Sequence, residues 1–298
     1  MIPVTTRLGP VAKDGLMPVL RKLLGKGIPG IVLEAPDQEH ALALDPRALG
    51  DARVRIVAAI APLGQAPRDL GTIASSDADE AKDAASAIQA TAAAVAPLGA
   101  RSVIAVVGAA GLPGEDDLRR AGAAPAANPI ALAEAWRVKT RTERERRAET
   151  ICRMLHGIAR NLAPQRLLLL PGPDPLGFLD AECAGWVLDD LGALGVGLAL
   201  DSGWAWAAEP RGGTKLGVWL ERHASRLGFL LISDHDSLGC GEVLPGAGRG
   251  DLVLLRDAIG KRTPRALRPD PRASLDDVLA SVEVVARRLG AVGDVVGW

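Results

Sequence analysis

The chain has 298 residues, of which 48% are hydrophobic and 24% charged, as in ordinary soluble globular proteins. Its net charge of −1 excludes the broad positive field that nucleic-acid binding needs. No apolar run approaches the roughly 20 residues that span a membrane, so neither nucleic acid nor membrane is an expected partner.

The N-terminal segment and the cysteine pattern both predict a cytoplasmic protein. The first residues lack a basic stretch followed by a long apolar run, so we expect no signal peptide. Cys152, Cys183 and Cys240 lie far apart and show no CxxC spacing. Reduced thiols in a cytoplasmic protein are the simplest interpretation.

Eight short apolar runs occur along the chain, separated by longer segments. They predict strands at 2–8, 30–35, 54–61, 102–108, 166–171, 195–201, 227–234 and 265–269. Most are continuous apolar runs, which is typical of strands buried on both faces in a parallel sheet.

The segments between the strands have helical period. Two of them begin with a capping pattern: Ser76 with Asp79 precedes 77–95, and Ser274 with Asp277 opens the last helix. Strands that alternate with helices predict an α/β fold of the (β/α)8 TIM-barrel class, with a parallel eight-stranded barrel inside outer helices, as one domain over 1–298. A doubly wound sheet is the alternative, because local pattern does not show closure.

Two long segments follow the fourth strand. Residues 109–130 are rich in Gly, Pro and Ala and would lie on the catalytic face of a barrel, either as a lid or as a surface excursion. Residues 136–162 predict one long helix with a charged, solvated face, on which Glu149 and Arg153 have the favourable i,i+4 order.

Chemistry in a (β/α)8 barrel gathers at the C-terminal ends of the strands, and here polar residues follow several predicted strands. They are Glu34 after the second, Asp174 after the fifth, Asp201 after the sixth, Asp234, His235 and Asp236 after the seventh, and Arg268 after the eighth. We therefore predict a site on this rim.

Five segments in order, GIVLEA, LLLLPG, GLALDSGW, LLISDHDSLGCGEVLPGAGRGDLVLL and RALRPD, resemble the xylose-isomerase-like TIM barrels, the sugar-phosphate isomerase/epimerase group. The seventh-strand segment matches best. There the family has His-x-x-Asp, a Pro-Gly-x-Gly turn and an acidic residue, and this chain has Ser233-Asp234, Pro245 to Gly248, and Asp251. The resemblance covers nearly the whole chain and implies sugar isomerase or epimerase chemistry. It also implies pairing of barrels through outer helices, so a homodimer is an open expectation.

The same resemblance implies one divalent metal with four ligands: a Glu after strand 5, an Asp after strand 6, a His on strand 7 and a Glu after strand 8. The corresponding residues here are Pro171, Asp201, Leu231 and Arg268. One carboxylate does not make a useful Mg²⁺ or Mn²⁺ site. The resemblance thus implies a degenerate metal site, and we expect no cofactor.

Two main hypotheses follow. In the first, the barrel binds a small sugar-like or anionic molecule without a metal, as an accessory protein or a metal-independent enzyme. In the second, a metal-dependent isomerase or epimerase has re-sited its Mg or Mn among Asp201, Asp234, His235 and Asp236. Unrelated chemistry, including a lyase anchored by an arginine, is a third reading.

The predicted catalytic residues are Glu34, Asp201 and His235. The predicted substrate-binding residues are Trp204, Trp206, Asp234, Arg249 and Arg268, and no metal ligand is predicted. Arg268 has two readings, because its guanidinium could pair with Asp201 or bind an anionic substrate. The two tryptophans either fill space beside Asp201 or stack on the ligand.

Overall fold

The computed structural model describes residues 3–5, 16–28, 30–34, 55–61, 72–124, 127–236, 241–260 and 263–289. Eight parallel strands form a closed barrel in chain order, with β1 paired to β8. They are β1 Val4–Thr5, β2 Ile31–Leu33, β3 Ile56–Ala61, β4 Ser102–Val107, β5 Arg166–Pro171, β6 Gly197–Asp201, β7 Leu227–Ile232 and β8 Arg265–Leu267. The predicted (β/α)8 barrel is confirmed, and closure rules out the doubly wound sheet.

Helices cover the outside of the barrel. They are α1 Leu16–Gly25, α2 Ala78–Val95, α3 Glu115–Gly122, α4 Pro129–Lys139, α5 Arg141–Leu162, α6 Ala181–Leu191, α7 Ser202–Ala208, α8 Leu216–His223, α9 Leu252–Ala258 and α10 Leu275–Leu289. None of the helices in the described ranges is long and apolar enough to cross a membrane.

Each strand is buried on two sides, which explains the continuous apolar runs. Side chains such as Ile104, Leu168 and Phe229 fill the barrel interior. Their neighbours, such as Val103 and Leu169, belong to a second cluster between the strands and the outer helices. Alternate residues of a strand are therefore both buried, on opposite faces. The two-residue alternation of apolar and polar residues that is typical of a half-exposed sheet does not occur.

The two predicted helix caps have different outcomes. At α10 the capping box is present, since the Asp277 amide donates to Ser274 Oγ at 3.2 Å and the Ser274 amide to Asp277 Oδ2 at 3.3 Å. At α2 the prediction was wrong by one residue. The N-cap is Asp77, which has an extended backbone conformation. Its carboxylate accepts hydrogen bonds from the Asp79 amide at 2.8 Å and from the Glu80 amide at 3.1 Å.

The region after β4 also departs from the prediction. The predicted long helix is divided at Thr140, which separates α4 from α5 and has φ −100° and ψ 13°. Its face is not entirely solvated, because Arg144 is 2% exposed and donates to Asp180 and to Cys183 Sγ. Within 109–130 the chain forms α3, so that connection is not plain loop.

Cysteines of the described part of the chain are buried and free. They are Cys152 on α5 and Cys183 on α6. The third cysteine, Cys240, lies outside the described residues, as do the outer ends of the strands predicted at 2–8, 30–35 and 54–61.

Candidate functional site

Arg268 lies at the centre of the polar rim. It follows β8, and its amide donates to the Ile232 carbonyl at 2.8 Å. The side chain is 3% exposed. Its Nε lies 3.1 and 3.0 Å from the two carboxylate oxygens of Glu34, and its Nη1 donates to Asp201 Oδ2 at 3.0 Å. The guanidinium thus brings together the ends of β2, β6 and β8.

The ionisation of this group is set by burial and by the charges around it. Burial alone would lower the pKa of Arg268, but the charges of Glu34 and Asp201 outweigh burial and raise it above its ordinary value. Desolvation raises the pKa of Asp201, while Arg268 and Ser233 oppose that rise. An unpaired ion in this place would be strongly destabilising, so each charge depends on the other.

Asp201 has partners on both carboxylate oxygens. It ends β6 and is also the N-cap of α7, where its Oδ1 accepts from the Trp204 amide at 2.9 Å. The Ser233 hydroxyl donates to the same oxygen, and Arg268 occupies Oδ2. The carboxylate therefore starts a helix, fixes the end of β7 through Ser233, and neutralises a guanidinium.

The two tryptophans of α7 point to different places. Trp204 is 5% exposed, packs with the barrel interior, and has the Arg268 guanidinium carbon 4.1 Å from its ring centroid. Trp206 belongs to the outer core and lies 5.8 Å from the His235 ring, centroid to centroid. Two residues apart on a helix, they face opposite ways and form no common platform.

Asp234 closes the loop after β7. Its carboxylate accepts hydrogen bonds from three backbone amides: His235 at 2.8 Å, Gly246 at 3.0 Å and Gly250 at 2.7 Å. A Cβ on Gly248 would overlap this carboxylate, so the loop packs tightly around it. All of these contacts are with the backbone of its own loop.

The other predicted residues of this loop are less buried. His235 Nδ1 lies 3.2 Å from the Asp236 carbonyl oxygen, and the His235 carbonyl accepts from the Arg249 amide at 3.0 Å. The Arg249 side chain is exposed. These residues are on the rim, but the structure does not bring them to the Arg268 guanidinium.

Sequence reasoning missed two members of the rim. Glu242 has an oxygen 3.7 Å from Arg268 Nη2 and adds a third carboxylate around the guanidinium. Arg119 of α3 reaches the turn after β5, where its Nη2 lies 2.6 Å from Asp174 Oδ2. Neither residue has a local sequence signal, because both contacts depend on how loops fold back over the barrel.

The comparison with known proteins rests on architecture alone. No family model matches the sequence, and no curated protein is significantly similar to it. A D-tagatose 3-epimerase-like protein superimposes with a TM-score of 0.68 at 14% identity, over 100% of both chains. The IolI protein, solved with a bound zinc atom, gives 0.67 at 13% identity, over 99% of this chain and 100% of its own. D-Allulose 3-epimerase from Methylomonas sp., solved with D-allulose, gives 0.66 at 14%, over 96% of each chain.

This chain therefore shares the (β/α)8-barrel fold of these solved structures. Within the fold, the four positions that the resemblance assigns to metal ligands lie next to one another. Leu231 pairs in register with Asp201, Arg268 binds Asp201, and Pro171 lines a cavity with Asp201. A proline, a buried leucine and a guanidinium offer no oxygen or nitrogen lone pair from their side chains to a cation. The residues present therefore do not fit the four-ligand metal site.

Space beside Asp201 is small. The cavity between the ends of β5 and β6, bordered by Pro171, Trp204 and Thr214, has a volume of about 30 Å³, enough for one or two waters. In the described ranges, no three His, Cys, Asp or Glu side chains are grouped so that they could hold a metal ion.

Proposed function

We propose that this barrel works without a divalent metal and binds a small, sugar-like molecule at its C-terminal rim. The observation that carries the proposal is the buried Arg268 guanidinium, held between Glu34 and Asp201. The positive charge that the resemblance assigns to a metal ion is then supplied by the chain itself. In this sense the metal site is degenerate.

Replacement of the guanidinium by a metal is energetically opposed. A cation at this place would have to displace Arg268, and breaking a buried ion pair costs about 3–5 kcal/mol. The released guanidinium would also need new partners. The re-sited metal is not favoured either, because Asp234 already accepts from three backbone amides of its own loop.

The charges on the rim favour a neutral ligand over an anionic one. An anion at Arg268 would compete with Glu34 and Asp201 for the same N–H groups and would lie near Glu242. A neutral polyhydroxyl molecule can instead donate O–H hydrogen bonds to these carboxylates. Such bonds are strengthened by the charge of the acceptor. Because D-allulose is the sugar bound in one barrel of this fold, it is a reasonable first probe.

We assign the predicted residues accordingly. The cavity beside Asp201 is too small for a sugar, so the ligand would lie outside it, against the carboxylates of Glu34 and Glu242, whose side chains are 12% and 28% exposed. Arg268, Trp204 and Asp201 are buried and would support these carboxylates from below. Asp234, Trp206 and Arg249 would shape the adjacent loop. His235 stays a candidate for proton transfer, in which case the reaction would be an isomerisation, epimerisation or elimination on a carbohydrate-like substrate. The cytoplasmic location also stays a prediction from the cysteine pattern.

The first test is elemental analysis of the purified protein. We expect no stoichiometric Mn, Mg, Co or Zn; one tightly held equivalent would overturn the metal-independent proposal.

A second test addresses the ligand. D-Allulose and other neutral ketoses are titrated calorimetrically with EDTA present, in parallel with their phosphates. We expect saturable binding of a neutral sugar that Glu242→Gln weakens by up to about 1.5–3 kcal/mol, the range for a hydrogen bond to a charged group. The exposed Arg288→Met serves as the control and should leave affinity unchanged. Binding of the phosphorylated sugars alone would contradict the neutral ligand.

A further inference from the structure

Five of the eight strands begin at an arginine or directly after one. Because all strands of the barrel are parallel, these arginines lie at one end of it, the N-terminal face, opposite the rim that carries Glu34 and Asp201. They are Arg55 before β3, Arg101 before β4, Arg166 at the start of β5, Arg226 before β7 and Arg265 at the start of β8. Positive charge is thus gathered at this face, although the net charge of the chain is −1.

The first four of these arginines are explained by their surroundings. The outer helices run antiparallel to the strands, so their C-terminal ends, which carry a partial negative charge, lie at the same face. All four arginines are exposed there, where a cation is favourable and keeps its hydration. Arg226, for example, donates to Asp189 Oδ1 at 2.5 Å. Surface charges of this kind need no ligand.

Arg265 differs from the other four because it is buried, at 4% exposure. It pairs in register with Leu230 of β7. Leu230 and Leu267, which is two residues after Arg265, both belong to the core cluster outside the barrel. Since alternate residues of a strand point the same way, the Arg265 side chain points outwards, into the apolar layer between the strands and the outer helices.

The Arg265 guanidinium has no counter-ion in the described part of the chain. It forms no ion pair there, and its Nε is fully enclosed without a hydrogen-bond partner. Burial lowers the pKa of Arg265, and no neighbouring charge opposes that shift. The other two buried arginines of the described ranges are Arg144 and Arg268, and each binds a carboxylate. A buried charge without such a partner destabilises the folded state strongly, because its hydration is lost and not replaced.

We propose that Arg265 binds a phosphate group, as inorganic phosphate or a phosphate monoester, at the N-terminal face of the barrel. The planar guanidinium matches two oxygens of a phosphate through Nε and one Nη, and Nε is the nitrogen that lacks a partner. Thr263 and Pro264, directly before Arg265, are half-exposed, so solvent lies close to the guanidinium.

A phosphate is favoured over a carboxylate by its charge. A phosphate ester carries about −1.5 to −2 at pH 7, and the four exposed arginines of the same face attract a doubly charged ion more strongly than a singly charged one. The proposed site lies at the opposite end of the barrel from Arg268, and it does not depend on the ligand of the rim.

Stability in phosphate gives the first test. A ligand that binds only the folded state raises the folding equilibrium constant by up to about tenfold for each tenfold increase in its concentration above Kd. Urea denaturation at pH 7 and constant ionic strength should show this dependence on inorganic phosphate for the wild type but not for Arg265→Met. Phosphate also stabilises folded proteins in general, so the difference between the two proteins is the measure. Without phosphate, Arg265→Met should be the more stable of the two, because it removes the unpaired charge. Arg166→Met makes the same change at an exposed arginine of this face and should respond to phosphate as the wild type does.

Direct binding gives a test that does not depend on unfolding. Equilibrium dialysis of the wild type against radiolabelled phosphate should show one bound ion per chain. Arg265→Met should weaken binding by about tenfold or more, the effect of losing a charge-assisted hydrogen bond. Arg265→Lys, which keeps the charge without the planar fork, should weaken it less.

Competition with the label identifies the source of the phosphate group. Glycerol phosphate that displaces the label at a lower concentration than unlabelled phosphate does would identify an ester, and equal displacement would identify the free ion. A wild-type chain that binds no phosphate would overturn the proposal. So would binding that neither Arg265 variant weakens, or acetate that competes as well as phosphate.

Discussion

Two buried carboxylates follow neighbouring strands of the barrel, and they are held in different ways. Asp201, after β6, neutralises the Arg268 guanidinium. Among the described residues, the carboxylate of Asp234, after β7, accepts from backbone amides of the loop it closes. The comparison teaches that an aspartate at a strand end can organise either charge or loop conformation. Which role it has depends on whether a cationic side chain reaches it from another strand.

The largest expected effect is the loss of stability when Arg268 is removed from between Glu34 and Asp201. Arg268→Met keeps much of the apolar stem but leaves Glu34 and Asp201 buried without their cation. We expect it to lower the free energy of unfolding by about 3–5 kcal/mol at pH 7, as for other broken buried pairs. Urea denaturation measures the loss, with the exposed Arg288→Met as the control. A loss below about 1 kcal/mol would mean that Glu34 and Asp201 tolerate burial without the guanidinium.

Coupling energies should separate the two aspartates. In a double-mutant cycle, Asp201→Asn and Arg268→Met should couple by about 1–3 kcal/mol, because these residues are in direct contact. Asp234 and Arg268 have no common side-chain partner among the described residues, so the effects of Asp234→Asn and Arg268→Met should add within about 0.5 kcal/mol. Equal coupling in the two cycles would show that the rim behaves as one network and would remove the distinction.

The packing of the loop around Asp234 is tested at Gly248. A methyl group there would overlap the Asp234 carboxylate, so Gly248→Ala should destabilise by about 1–3 kcal/mol through overpacking. Gly217 of α8 is the matched control, since a Cβ there meets nothing within 4 Å and Gly217→Ala should be neutral or stabilise by up to about 1 kcal/mol. Thermal unfolding reports both. If the Gly248 variant is as stable as its control, the loop is looser than these contacts indicate.

Much of the barrel was predictable because its physics is local. A strand buried on both faces has a continuous apolar run, and each run ends where the chain reaches the rim, as at Asp201. All eight strands were therefore found near their actual positions. The break at Thr140 was not, because it has neither the glycine nor the proline that usually ends a helix. Arg144 was misjudged since a charged helical residue gives no sign of a buried partner on the next helix.

The site was predictable in its residues but not in its pairing. Glu34 and Arg268 are 234 residues apart in sequence, and only barrel closure makes them neighbours. The separate directions of Trp204 and Trp206 follow from helical geometry, yet seven-residue α7 gave no periodic pattern that would reveal the helix. Sequence spacing alone cannot show which of two readings of Arg268 applies, whereas the contacts favour the ion pair.

The smallest expected effect is a pH dependence that belongs to Asp201. Burial raises its pKa in the folded protein, so the folded state holds the proton more tightly than the unfolded chain does. The stability contributed in this way is fully present below the ordinary aspartate pKa of about 4 and is lost as pH rises through the folded value. Asp201→Asn cannot titrate. The free energy of unfolding of the wild type, relative to this variant, should therefore fall as pH rises above about 4. Urea denaturation of both proteins at each pH gives the difference, and a difference that grows with pH would mean that Arg268 and Ser233 outweigh desolvation.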